Sequence, residues 1–216
     1  MEFLVKLILS YLLGSVSGSM LMGKLKGVDI REMGSGNAGG TNAFRTMGAV
    51  FALGVVLIDI IKGFIAVQFV PSLNLGSIIT TNMMDLELLH ILCGISVMMG
   101  HVYPIYHGFK GGKGAGPMVG VLAALFPTLL IICLPVWLIT LIFTGFVGLS
   151  TIIAGITLPI SSCILYNNEI YSPFGLFLVM VAVFIIYTHR SNIRRMIAGN
   201  ENRFEKIMIL KGKNNQ

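Results

Sequence analysis

The chain has 216 residues, of which 55% are hydrophobic and 11% are charged, and its formal net charge is +6. Soluble domains carry roughly 25% charged residues, so this composition excludes an ordinary soluble domain and predicts helices that face lipid. The positive charge does not indicate nucleic-acid binding, because the basic residues lie at the ends of apolar runs, as the positive-inside rule requires. Cys93, Cys133 and Cys163 lie in apolar segments without C-x-x-C spacing, so neither a disulfide framework nor a metal site is expected.

The first apolar run extends from Phe3 to Met22 and is long enough to cross a bilayer, since a spanning helix needs about 20 residues. It lacks a basic n-region and an A-x-A-like cleavage site, so we interpret it as a retained span rather than a signal peptide. Similar runs predict spans over about 50–70, 86–106 and 173–189. Backbone groups in lipid must be satisfied internally, so these runs are predicted to be helices.

The distribution of charge predicts the sidedness of the chain. Apart from Lys6 and Lys62, the 15 Lys and Arg residues lie in three segments, 24–45, 110–113 and 190–213. The positive-inside rule places all three segments in the cytoplasm.

The run 114–168 holds no Asp, Glu, Lys or Arg, and its number of helices follows from this sidedness. An even number of crossings must separate the second and third basic segments, and the span at 173–189 supplies one. The run must therefore supply an odd number, and one helix is too few for its length. The natural breaks are Pro135 and the segment 144–151. The predicted spans are about 115–132, 134–149 and 151–167.

The fold class that follows is an all-α integral membrane protein with seven transmembrane helices. Its N-terminus is predicted to lie outside and its C-terminus in the cytoplasm. The whole chain, 1–216, is expected to form one polytopic membrane domain.

The first polar segment, Gly34–Arg45, alternates Ser, Asn and Thr with glycines and closes with an arginine. Such a loop can offer several donors to one anionic or polyol ligand, and an arginine can hold phosphate through two parallel N–H bonds. The candidate ligand-binding side chains are Asn37, Thr41, Asn42 and Arg45. The alternative is a flexible cytoplasmic loop, but a plain linker has no use for these side chains at such close spacing.

Asp59 and Lys62 lie three residues apart inside the second apolar run. Charges at membrane depth cost about 2.5–3.5 kcal/mol each on insertion scales, and an i,i+3 pair shares one helix face. We favour a structural ion pair between bundled helices over a catalytic role.

The central polar segment, 101–116, holds five glycines and two lysines within a short stretch. Glycines let backbone N–H groups turn toward a ligand, and Lys110 and Lys113 add positive charge, so a phosphate is the expected ligand. The segment fails the Walker A pattern, because Gly114 stands where Ser or Thr should follow Lys113. The alternative is a basic linker between two spans.

The last polar segment follows the final span and contains His189 and Asn192, which share a helix face if the helix continues this far. Histidine can hold a proton near neutral pH, and asparagine can position a hydroxyl. A juxtamembrane basic cluster would explain Arg190 and Arg194 but not these two residues. Glu201 is expected to pair with a local arginine.

Several common catalytic patterns are missing from the sequence. It contains no H-x4-D arrangement, no G-x-S-x-G elbow and no H-E-x-x-H. The chemistry is therefore expected to depend on positioning and positive charge, without a metal or another cofactor.

The three polar segments together resemble the PlsY family, the bacterial acyl-phosphate:glycerol-3-phosphate acyltransferases. The matching motifs are Gly34–Asn42 followed by Arg45, Gly100–Gly114, and His189–Ile193 followed by Gly199 and Glu201. The chain departs from the family at 38–40, where a branched residue and Gly-Ala are usual. It departs again at Ala115-Gly116-Pro117, where the family usually has Val-Ala-Thr.

The resemblance implies a multi-pass enzyme of the bacterial inner membrane whose active site faces the cytoplasm. It would make lysophosphatidate from glycerol 3-phosphate and a fatty acyl phosphate, act as a monomer among membrane lipids, and have no nucleic-acid partner. The residues implied in glycerol 3-phosphate binding and catalysis are Ser35, Arg45, Lys113, His189 and Asn192. Those implied in a pocket for the donor's phosphate are Gly111, Gly112, Gly114 and Ser150.

Two other functions fit parts of the pattern. A transporter of phosphorylated anions could use glycine loops and basic residues, but its polar residues would lie at discontinuous helices near the midplane. A non-catalytic scaffold would not need His189, Asn192 and Arg45 together. Within the enzyme, His189 acts either as a general base or only in binding, and the absence of an obvious carboxylate to orient its ring favours binding.

Overall fold

The computed structural model describes residues 2–75, 84–166, 169–205 and 207–209. Within these ranges the secondary structure is helical, with ten α-helices, three short 3-10 turns and no strand. The chain forms two compact units, 1–127 and 128–216, which are described in turn.

The first unit contains two long helices and four shorter ones. They are α1 (Glu2–Ser15), α2 (Gly18–Lys26), α3 (Gly40–Met47), α4 (Ala49–Gln68), α5 (Met84–Val102) and α6 (Ala115–Leu125). Its closest helix pairs are α1 with α5 and α4 with α6. At these crossings a glycine on one helix lies against backbone of the other, Gly100 against Tyr11 and Gly120 against Ile60. Small residues at helix crossings are typical of membrane bundles, because they let backbones approach closely.

The first predicted span is observed as α1 and α2, which are bent by 42° at residues 16–17. The predicted ion pair of Asp59 and Lys62 lies at this break, with Lys62 Nζ 2.8 Å from Asp59 Oδ1. Lys62 donates to Val16 O at 2.7 Å, and Asp59 accepts from Gly18 N at 3.2 Å. A cation at a helix C-terminus and an anion at an N-terminus satisfy groups that lack partners within the helices. The predicted structural ion pair is confirmed.

The second unit contains most of α7 (Pro127–Thr144), together with α8 (Val147–Leu165), α9 (Pro173–Thr188) and α10 (Arg190–Ile197). Helices α8 and α9 pack together, and α10 continues from α9 after a 53° bend. The segment after α10 returns to the α7–α8 junction. There Phe204 N donates to Gly145 O at 2.9 Å, and Ile209 N donates to Ile142 O at 3.3 Å.

By length and composition, four helical segments of the described residues can cross a membrane, or up to six if each bent pair is one span. The helix α6 is apolar but shorter. An all-helical membrane protein is therefore confirmed.

The predicted break at Pro135 is wrong, because this residue lies inside α7. The helices instead separate at Phe126, and α7 begins at Pro127. Proline suits the first position of a helix, where its missing N–H is not needed, and a proline inside a membrane helix is tolerated. The second predicted break is observed, because α7 ends at Thr144 and α8 begins at Val147.

Candidate active site

In the first unit, the polar segments that follow α2 and α5 lie next to each other. Arg31 Nη1 donates to His107 O at 3.0 Å. A β-carbon added to Gly112 would lie 3.0 Å from Ala38 O. The fold therefore brings the first two of the three predicted motifs together.

Arg31 is held by Asp29, a pair whose role the sequence analysis missed. Asp29 Oδ2 lies 2.7 Å from Arg31 Nη2, and Asp29 Oδ1 caps the short 3-10 turn by accepting from Arg31 N at 2.8 Å. The hydrogen bond from Arg31 lowers the pKa of Asp29, and the same bond raises the pKa of Arg31. The Asp-x-Arg spacing, typical of a local cap, was the signal available.

Asn42 organises the loop from the inside. The residue is only 1% exposed. Its Oδ1 accepts from Ser35 N at 2.9 Å, and its Nδ2 donates to Ile30 O at 3.1 Å and Met33 O at 2.9 Å. The amide is thus engaged with the loop backbone, and it fixes the position of Ser35, whose own side chain is exposed.

We expect Asn42→Ala to lower the free energy of unfolding by about 1–3 kcal/mol, because buried backbone groups lose their partners. Thermal unfolding of the purified protein in detergent measures the effect. Thr46→Ala is the matched control, since Thr46 Oγ1 makes only one local bond, to Asn42 O at 2.8 Å. Equal unfolding temperatures for Asn42→Ala and the unmodified protein would contradict this role for the amide.

Three further predicted ligand-binding residues lie on or beside α3. Thr41 and Arg45 are four residues apart on this helix, so they share a face, and both are half-buried. The Asn37 side chain lies against the backbone of Gly39, where an added β-carbon would be 2.7 Å from Nδ2. The helix N-terminus at Gly39 has no side-chain cap.

The glycine-rich loop differs from the predicted nest of N–H groups. Gly111 N donates to Val102 O at 3.2 Å, and Gly112 N donates to His101 O at 3.1 Å. Both N–H groups therefore bond backbone carbonyls at the C-terminal end of α5. Glycine is needed at 112 for another reason, because an added β-carbon would collide with the His101 ring.

The loop ends at Gly114, which has a φ of 88° and directly precedes α6. Lys110 is exposed and Lys113 is half-buried on the same loop. The residues at 115–117, where the sequence departs from the usual PlsY-family pattern, suit the start of α6. A β-carbon on Gly116 would lie 2.7 Å from Asp59 Cβ, and Pro117 falls in the first turn, where no N–H is needed.

In the second unit, His189 occupies the bend between α9 and α10 and is 5% exposed. Its Nδ1 lies 2.8 Å from Ile185 O. A carbonyl only accepts, so we assign the proton of the neutral ring to Nδ1, which leaves Nε2 as the basic nitrogen. A backbone carbonyl, rather than a carboxylate, thus orients the ring.

Asn192 is buried in the first turn of α10 and is held by a carboxylate. Its Nδ2 donates to Glu201 Oε1 at 3.1 Å, and Arg195 Nε donates to Glu201 Oε2 at 2.7 Å. The Glu201 side chain is only 2% exposed. The predicted pairing of Glu201 with a local arginine is confirmed.

The start of α8 lies beside Asn192. A β-carbon on Gly148 would lie 2.8 Å from the Asn192 side-chain amide. Ser150, two residues further on, is buried and donates its hydroxyl proton to Phe146 O at 2.9 Å. The predicted site residues therefore form two groups, one in each unit, with Ser150, His189 and Asn192 in the second.

These features define an integral membrane protein of packed helices, with buried polar residues such as Asn42, His189 and Asn192 at helix ends and beside the polar loops. A family model described as glycerol-3-phosphate acyltransferase matches residues 4–199. The glycerol-3-phosphate acyltransferase of Chlorobaculum parvum is 39% identical, with 94% of this chain and 97% of that one covered. That of Chlorobium phaeobacteroides strain BS1 is 37% identical, with 93% and 95% covered.

Solved structures agree with this assignment. The crystal structure of PlsY (YgiH), an integral membrane glycerol 3-phosphate acyltransferase, in its glycerol 3-phosphate form has a TM-score of 0.81 and 34% identity. Its lysophosphatidic acid form has a TM-score of 0.79 and 33% identity, and each comparison covers 94% of this chain and 96% of the other. The chain belongs to the glycerol-3-phosphate acyltransferase (PlsY) family, as its motifs predicted, and it is a membrane acyltransferase of phospholipid biosynthesis.

Proposed function

We propose that this acyltransferase transfers a fatty acyl group from acyl phosphate to glycerol 3-phosphate, giving lysophosphatidate and inorganic phosphate. The observation that supports this most strongly is the likeness, over 94% of the chain, to a PlsY structure in a glycerol 3-phosphate form. The loops and helix breaks also carry the polar groups that such a reaction needs.

The reaction requires little more than orientation and charge stabilisation. An acyl phosphate is a mixed anhydride, so its carbonyl is already activated toward attack by an alcohol. The glycerol hydroxyl oxygen forms a bond to the acyl carbon, and the bond from that carbon to the phosphate oxygen breaks. The hydroxyl proton leaves with a phosphate oxygen or passes to His189, and the phosphate is released.

The proposed site residues have different roles, according to the part of the substrates that each one contacts. Arg45 and Lys113 bind the phosphate of glycerol 3-phosphate, with Lys110 adding charge nearby, while Ser35 and Asn192 orient the hydroxyl. His189 Nε2 accepts the hydrogen bond of that hydroxyl, since its Nδ1 is committed to Ile185 O. Further polar contacts to the substrates come from Asn37 and Thr41. The predicted binding role of Asn42 is wrong, because its buried amide is engaged with Ser35 N, Ile30 O and Met33 O and so holds the loop instead. The loop that ends at Gly114 holds the donor's phosphate, with Gly111 and Gly112 shaping the loop, because their N–H groups bond Val102 O and His101 O. The buried Ser150 hydroxyl bonds Phe146 O and supports the start of α8.

The proposed topology has seven spans in the bacterial inner membrane, with the N-terminus outside and the active site facing the cytoplasm. The basic segments 110–113 and 190–213 lie on one side, and α7, α8 and α9 supply three crossings between them. The fourth is α6, which is about 16 Å long at 1.5 Å per residue. We further propose that the chain is one polytopic domain that functions as a monomer.

The test of this function uses purified protein in detergent with labelled glycerol 3-phosphate and a fatty acyl phosphate. Stoichiometric formation of lysophosphatidate and phosphate is the expected result. Acylation by acyl-CoA but not by acyl phosphate would refute the donor assignment. Absence of acylation with either donor would overturn the proposed reaction.

We expect Arg45→Lys to raise the KM for glycerol 3-phosphate by about tenfold or more, because lysine lacks the planar fork that binds phosphate through two bonds. Initial rates across a range of glycerol 3-phosphate concentrations measure the change. Arg203→Lys is the control, since Arg203 stacks on Phe146, 4.6 Å from the ring centre, and has no proposed substrate contact. An unchanged KM in Arg45→Lys would remove Arg45 from phosphate binding.

A further inference from the structure

Three buried ionisable side chains beside the glycine-rich loop have no part in the proposed chemistry. Asp59 and Lys62 on α4 and His101 on α5 are each 3% exposed. Burying such groups is costly unless each finds partners, so their arrangement calls for a physical reason beyond the closing of the α1–α2 break.

Lys62 connects the helix break to His101. Its Nζ lies 2.7 Å from Val16 O, 2.8 Å from Asp59 Oδ1 and 2.9 Å from His101 Nδ1. An ammonium has three protons and no acceptor, and these three partners match them. We therefore assign Nδ1 as the acceptor from Lys62, although Asp59 Oδ1 also lies 3.4 Å from it. The neutral imidazole then carries its proton on Nε2, the tautomer opposite to that of His189.

The far edge of the His101 ring faces the loop. A β-carbon on Gly112 would collide with Nε2 and would lie 2.8 Å from Cε1. The backbone carbonyl of His101 also accepts a hydrogen bond from Gly112 N at 3.1 Å. Asp59 contacts the first turn of α6, directly after the loop, because Gly116 packs against its β-carbon. The network therefore contacts the chain on both sides of Lys113, at Gly112 in the loop and at Gly116 in α6.

We propose that Asp59, Lys62 and His101 are positioning residues that hold the loop 111–114, and with it Lys113, in the conformation that binds phosphate. Lys62 acts through His101, since its ammonium fixes the ring that fills the space beside Gly112. The inference rests on the proposed function of the loop. A displacement of about 1 Å at a reacting or binding group can cost about 100-fold in rate, so an indirect contact is enough.

The test compares Lys62→Met with Lys6→Met. Lys6 is a matched control because it is also buried, and its Nζ likewise bonds one carboxylate, Glu2 at 2.7 Å, and one carbonyl, Pro71 at 2.8 Å. Both variants are expected to unfold at lower temperature. Only Lys62→Met is expected to lower the catalytic efficiency with glycerol 3-phosphate by about 100-fold, chiefly through KM.

A second measurement is independent of activity. Trypsin cleavage after Lys110, which is exposed, reports how firmly the loop is held. We expect faster cleavage in Lys62→Met than in the unmodified protein or in Lys6→Met. If the unmodified protein shows no acylation with acyl phosphate, the proposed function fails while the cleavage rates still decide the role of the network.

The double variant Asp59→Asn/Lys62→Met serves where Lys62→Met does not fold. Removing both charges avoids the uncompensated buried carboxylate that a single change leaves, so the fold is better preserved. The same loss of efficiency and the same faster cleavage are expected. Normal KM and normal cleavage in a folded variant, or equal effects in Lys6→Met, would overturn the proposal.

Discussion

Replacing His189 by alanine is expected to reduce turnover by about 10²–10⁴-fold, the range associated with a positioned acid–base group. The ring is buried and held by Ile185 O at 2.8 Å from Nδ1, so its Nε2 has a defined direction. Steady-state rates with acyl phosphate and glycerol 3-phosphate measure the loss. Turnover close to that of the unmodified protein would remove His189 from the site.

His90→Ala is the control for this variant. His90 makes the same kind of bond, from Nδ1 to the carbonyl four residues earlier, with Leu86 O at 2.6 Å, but it lies on α5 outside the proposed site. His90→Ala is expected to keep normal turnover. His189→Gln separates the two roles of the ring, because glutamine can accept a hydrogen bond but cannot act as a base near neutral pH. Substantial activity in His189→Gln would favour binding, and inactivity equal to that of alanine would favour a base.

Replacing Gly112 by alanine is expected to lower catalytic efficiency by about 100-fold, because the loop must move to accommodate the new methyl group. The added β-carbon would collide with the His101 ring and would lie 3.0 Å from Ala38 O. The methyl group therefore acts on both polar segments of the first unit at once. Initial rates with each substrate varied in turn show whether the effect falls on KM for the donor or for glycerol 3-phosphate.

Gly155→Ala provides the matched comparison. Its added β-carbon would lie 3.4 Å from Ile185 Cγ2, an ordinary contact, and alanine is favoured over glycine in a helix. Stability and activity close to those of the unmodified protein are expected. Equal activities of the two variants would show that crowding at Gly112 has no consequence for the site.

Apolar run length, the positions of Lys and Arg, and three short polar motifs were sufficient to predict a helical membrane protein of the PlsY family. The ion pair of Asp59 and Lys62 was also predictable, because its partners lie one helical turn apart. The pairing of Glu201 with an arginine followed similarly from nearness along the chain. These are local properties, and hydropathy and spacing report them directly.

Contacts between distant segments could not be predicted in this way. Both Pro127 and Pro135 lack an N–H, and the sequence does not record that the first starts a helix while the second lies inside one, because a membrane helix tolerates an internal proline. The engagement of Asn42 with backbone carbonyls, and of Gly112 N with His101 O, depends on where the chain folds back.

The sequence by itself determined the class of protein, its family and the segments in which its chemistry must lie, because burial in lipid and motif spacing leave a direct record in residue order. The tertiary structure decided what each polar group faces. It placed His101 Nδ1 against the Lys62 ammonium and His189 Nδ1 against the Ile185 carbonyl, so we assign the two rings opposite tautomers. A hydrogen bond is set by where its two partners meet in space, and sequence spacing does not record that.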